Sequence, residues 1–138
     1  MRHKYTITLR STYAELWRYN VVVECGGFDS AGQRLCFASA QSIIAPVGSA
    51  LRKAPAEPVH PRSLKVATEP CDSIAAYIYV IPNTLPLSRE VSDCAPFDLK
   101  VRVEADGEAI YDTVHKVNQW GGASIERKLP ARPAPGVQ

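Results

Sequence analysis

The chain lacks most of what would announce a chemistry. Its four cysteines, Cys25, Cys36, Cys71 and Cys94, form no Cys-x-x-Cys pair. That leaves zinc-ribbon and thioredoxin-like readings without support. No run approaches the roughly 18–20 apolar residues of a membrane span. Charge of one sign is scarce as well: 16 basic and 14 acidic residues leave a formal +2. Such a balance carries no electrostatic footprint for nucleic acid or for a membrane surface. Helical periodicity is nearly absent, and there is no internal repeat and no heptad. The first ten residues are basic but contain no apolar h-region. A cytoplasmic protein is expected, or one exported without a cleaved signal. Free buried thiols suit that compartment. Cys25 and Cys36 bracket a hairpin loop and could lie opposite each other, but free thiols are the expectation there too unless the protein is secreted.

What is present is alternation. Phe97, Leu99, Val101 and Val103 alternate with Asp98, Lys100, Arg102 and Glu104. A period of two puts four apolar side chains on one face of a strand and four charges on the other. Asp106-Gly107 follows, a pair suited to a two-residue type I′ turn. Simple pairing across that turn would set Val103 opposite Ile110 and Val101 opposite Asp112, turning Asp112 inward. A bulge near residues 111–113 is therefore expected.

The same period appears elsewhere. Tyr5, Ile7 and Leu9 share a face. So do Trp17, Tyr19, Val21, Val23 and Cys25, in a strand that ends at Gly26-Gly27. Thr12 and Glu15 have capping-box spacing, so a helical turn competes there. Residues 26–33 read as a turn with 29–32 as its tip and Gly32 left-handed, and 34–44 as its returning, edge-like strand. Residues 64–68 form a short strand. The run 74–81 is apolar throughout and reads as a strand buried on both faces, central or covered by a partner. Residues 123–129 complete the set.

Proline punctuates the rest. It removes ladder donors, so 46–62 and 83–96 are long loops. Residues 1–129 read as one domain and 130–138 as a Pro-rich tail. Seven or eight strands with Pro-rich loops predict an antiparallel β-sandwich, immunoglobulin-like, jelly-roll or C2-like.

Site candidates are few. Histidines 3, 60 and 115 with the four thiols suggest a Cys/His hydrolase, but no local signature marks a nucleophile. Asp93, Asp98, Asp106 and Asp112 suggest calcium, yet the hairpin spreads them over roughly 25 Å at strand rise. Turn chemistry and a wet strand face explain them better, so no metal or cofactor is expected. Tyr77, Tyr79 and Trp120 suit a carbohydrate platform if exposed. Arg127, Lys128 and Arg132 would let the tail end lie against an acidic partner surface. The reading that results is a non-enzymatic module that contacts other protein subunits, without nucleic acid or membrane insertion. Its candidate contacts are Tyr77, Tyr79, Trp120, Arg127, Lys128 and Arg132.

Overall fold

A computed structural model describes residues 2–55, 63–90, 92 and 94–130. Among these are eight strands: β1 (Tyr5–Arg10), β2 (Tyr19–Phe28), β3 (Arg34–Ser42), β4 (Ser63–Ala67), β5 (Ser73–Pro82), β6 (Phe97–Ala105), β7 (Glu108–Val117) and β8 (Ala123–Leu129). They make two four-stranded sheets, ordered β4-β1-β6-β7 and β3-β2-β5-β8. All pairings are antiparallel. The fold is an all-β sandwich. Consecutive strands pair within a sheet at β2–β3 and β6–β7; the other connections cross between sheets.

The core follows from the alternation. Tyr5, Ile7 and Leu9 of β1 and Leu99, Val101 and Val103 of β6 are buried against Tyr19, Val21, Val23 and Cys25 of β2 and Ile74, Ile78 and Val80 of β5. Each such aliphatic side chain contributes about 1.5–3 kcal/mol by leaving water. The outward face of the first sheet is a charged ladder. Arg102 pairs with Asp112 at 2.9 Å, and Lys116 pairs with Asp98.

The Asp106-Gly107 turn forms as expected, with φ of 51° and 86°. The register shifts just after it. Glu104 lies across from Ala109 but Val103 across from Tyr111, so Ile110 is the extra residue. The bulge falls one residue before the expected span and turns Asp112 outward to Arg102.

Two expectations are corrected. The Thr12–Glu15 capping box does not form. The helical turn is a 3₁₀ segment at Leu16–Arg18, with Glu15 at its N-cap and no side-chain cap. Trp17 therefore leaves the strand, which begins at Tyr19. The run 74–81 is not buried on both faces. Ile74, Ala76, Ile78 and Val80 point inward, while Tyr77 and Tyr79 are half-exposed and Ile81 is exposed. Its apolarity reflects a central position, between β2 and β8, rather than a second covering layer. The cysteines are free thiols, as expected, and the hairpin register sets Cys25 across from Ala38 and Cys36 across from Gly27. The expected tail, apart from Pro130, lies outside the described residues, as does Arg132.

Candidate functional site

The strand directions bring the loops flagged by proline to one end of the sandwich. Tyr19 begins β2 beside Pro82, which ends β5, and Ala123 begins β8 beside Val80. The segments 43–55, 83–90 and 118–122 therefore meet. Between them lies a groove of about 940 Å³.

Buried amides fix its floor. Asn83 is fully buried. Its main-chain N–H donates to the Arg18 carbonyl at 2.7 Å, and its carbonyl accepts from the Ser49 N–H at 2.7 Å. Its side-chain Nδ2 donates to the Trp17 carbonyl at 3.0 Å and to Asn20 Oδ1 at 3.3 Å. Asn20 Oδ1 also accepts from the Ile44 N–H at 2.9 Å, and its Nδ2 donates to the Ala45 carbonyl at 2.7 Å. The Thr84 hydroxyl donates to the Leu51 carbonyl at 3.2 Å. Loop backbone that would otherwise be unpaired is thus tied to the sheet end.

The Trp120 wall is equally determined. Asn118 Oδ1 accepts from the N–H groups of Trp120 and Gly121 at 2.8 and 2.9 Å, an Asx turn. Gly122 closes it with φ of 72°; a Cβ there would stand 1.9 Å from the Val80 carbonyl oxygen. Gln119 turns inward. Its Nε2 donates to the Ala95 carbonyl at 2.7 Å, and its Oε1 accepts from Arg18 Nη2 at 2.8 Å.

Arg18 is the buried cation of this end. Nε donates to Glu15 and Nη2 to the Tyr13 hydroxyl, both at 2.8 Å. The guanidinium lies 5.2 Å from the Tyr19 ring centroid. Burial works against the cation, but Tyr19, Tyr13 and Glu15 outweigh it and hold its pKa above the ordinary value. Tyr13 stacks on Phe97 with centroids 4.3 Å apart, sealing the core beneath.

What lines the groove is apolar and exposed. Val47 is 70% exposed, Leu85 66% and Trp120 39%, with Leu87 and Ile81 also exposed. Arg52 and Arg89 line it too, and neither forms an ion pair among the described residues. Among the described residues, no acidic side chain lines it.

The expected contact residues divide into three places. Trp120 is in the groove. Tyr77, Tyr79 and Lys128 lie on the outward face of the second sheet, Tyr77 across from Glu126 and Lys128 across from Ala75. Arg127 points the other way. Its Nε donates to the Tyr111 hydroxyl at 3.1 Å, across the open β7–β8 edge of the sandwich. Sequence reasoning missed Arg52 and Arg89, and also Val47, Leu85 and Leu87. The available signal was large apolar side chains inside Pro-rich loops, where a solvated loop has no use for them.

The remaining candidates separate. The rings of His3 and His115 hydrogen-bond Asp106 at 2.6 Å and the Tyr111 hydroxyl at 2.8 Å. Neither has a thiol as its hydrogen-bond partner among the described residues; His60 lies outside them. Asp98, Asp106 and Asp112 each have a different cationic or imidazole partner, and Asp93 is outside the described residues. No group of His, Cys, Asp and Glu among the described residues is arranged to hold a metal. No helix among them is long and apolar enough to cross a membrane.

Comparison with solved structures adds the fold's kinship. The chain is similar to a DUF4425 domain. That crystal structure, a domain of unknown function from Bacteroides vulgatus, superposes with a TM-score of 0.51 at 11% identity, covering 93% of this chain and 92% of that one. A DUF4425 family protein from Bacteroides ovatus gives 0.46 at 10% identity over 94% of each chain. No family model and no curated protein matches. At this identity the DUF4425 likeness shows the sandwich fold and nothing of its role.

Proposed function

We propose that this chain is a protein-contact module whose groove receives an extended, acidic segment of another protein chain. One observation carries the reading. Val47, Ile81, Leu85, Leu87 and Trp120 are exposed together around two arginines, and among the described residues these arginines have no ion-pair partner and no acidic side chain lines the groove. Exposed apolar side chains gathered in one concavity mark contact surfaces. Charge complementarity then selects the occupant: carboxylates for Arg52 and Arg89, apolar side chains for the groove wall. The amide-pinned floor supports it, because a preorganised groove loses less entropy on binding.

Selection from a displayed random-peptide library on the full chain tests the reading. Enriched peptides are expected to carry Asp or Glu beside Leu, Phe or Val. Trp120→Ala should weaken the best of them by about 30-fold or more, the scale of an interface hot spot. The double variant Arg52→Glu, Arg89→Glu should shift the selection toward basic peptides. Peptides without acidic bias, or binding that ignores both changes, would overturn the proposal. So would selective capture of oligosaccharides by the Trp120 face, with no peptide enriched.

A further inference from the structure

At the opposite end of the sandwich, Cys36 and Cys71, far apart in sequence, approach each other, with Cys25 nearby. Cys25 and Cys71 are fully buried, and Cys36 is half-buried on the edge strand β3. Cys71 sits in the β4–β5 connection. A two-way backbone bridge to His3 holds it there, at 2.8 and 3.0 Å. Gly27 lies across from Cys36. A Cβ on Gly27 would stand 2.5 Å from the Cys36 sulfur and 2.8 Å from the Cys71 sulfur. Gly27 has no positive φ, so backbone freedom is not what this glycine supplies. Both sulfurs crowd the space that its missing side chain leaves.

The geometry points to Cys36 and Cys71 as a reversible disulfide pair that closes the β3–β4 edge of the sandwich. The two thiols differ in access. Cys36 faces the edge, where its S–H donates to the Glu69 carbonyl at 3.8 Å. Cys71 is enclosed, its sulfur 3.9 Å from the Thr68 hydroxyl. Burial pushes the Cys71 thiol above its ordinary pKa, and pushes Cys25 further, to about 12. Access at the edge makes Cys36 the thiol an external disulfide meets first. Its thiolate attacks one sulfur of glutathione disulfide and releases one glutathione thiol, leaving a mixed disulfide. Cys71, losing its proton, then attacks the Cys36 sulfur and displaces the second glutathione. Two protein thiols are oxidised, and one external disulfide is reduced to two thiols. The new bond ties the edge strand of the second sheet to the connection that leaves β4, the edge strand of the first.

The test equilibrates the full chain across graded reduced-to-oxidised glutathione ratios. Acid quenching, alkylation and non-reducing peptide mapping by mass spectrometry follow. One intrachain link, Cys36 to Cys71, is expected, with Cys25 and Cys94 alkylated once the chain is unfolded. A loop of this length should raise Tm by roughly 10 °C, reversed by dithiothreitol and absent in Cys36→Ser. Gly27→Ala places a methyl in the space both sulfurs crowd and should suppress the link. Because Cys36 is on an edge and half-buried, Cys36→Ser is expected to fold, which keeps the comparison readable. Oxidation that joins Cys25 or Cys94 instead, no link at any ratio in folded protein, or a lower Tm on linking would each overturn the assignment.

Discussion

Three residues show how little chemistry decides local shape here. Asp106 takes a left-handed φ of 51° at the head of a two-residue turn, and its carboxylate reaches another strand, accepting from the Lys4 N–H at 2.9 Å. Gly27 supplies room and Gly122 supplies both room and φ. The last is the most demanding. In Gly122→Ala the new methyl would overlap the Val80 carbonyl and a side chain would be forced to positive φ. A loss of roughly 3 kcal/mol or more is expected from combined overpacking and strain. Urea unfolding measures it, and a midpoint within error of wild type would refute the close approach. Of these, only the turn at Asp106 was visible beforehand, because a glycine's neighbours come from other strands.

At the scale of elements, β7 carries the informative departure. Its alternation alone would have buried Asp112; one extra residue, Ile110, rotates the strand and buries nothing charged. The same rotation turns Tyr111 and His115 inward at an open edge, where Arg127 of β8 covers them. Arg127 Nε–H donates to the Tyr111 oxygen, and the same hydroxyl is hydrogen-bonded to His115 Nε2 at 2.8 Å. Burial first, and the Arg127 charge second, push the His115 pKa below its ordinary value. The unfolded chain then binds a proton more readily than the folded one. This contribution to stability is complete above the ordinary histidine pKa and is lost as pH falls through the window between that value and the lower folded one. Urea midpoints taken from about pH 7.5 down to pH 5 should fall in the native chain. They should fall less in His115→Phe, which keeps the ring and removes the titration. Identical slopes would refute the coupling.

At the scale of the molecule, the sandwich arranges its two ends differently. One end gathers the Pro-rich loops, the Trp120 turn and a buried amide network under an exposed apolar groove. The other gathers thiols and the Asp106 turn. Both rest on a shared interior to which β1, β2, β5 and β6 all contribute. Loss of either sheet would expose that interior, so unfolding should be a single cooperative event. Tryptophan fluorescence, which reports the groove end through Trp17 and Trp120, and far-ultraviolet circular dichroism, which reports the strands, should give coincident urea transitions. Two resolved transitions would mean that the sheets are stable separately.

Alternation was legible because side chains on a strand change face at every residue, and burial acts on each face independently. It located the strands, the inward residues and the Asp106-Gly107 turn, and proline located the loops. What it could not locate was anything set by pairing between distant segments. The register that parts Cys25 from Cys36 and brings Cys36 to Cys71 is of this kind. So are the reach of Arg127 to Tyr111 and the meeting of Arg52, Arg89 and Trp120 around one groove. Those depend on strand order and on which loops share an end. Strand order is chosen by the packing of whole sheets, a free energy spread over the entire core and written in no single stretch of the chain.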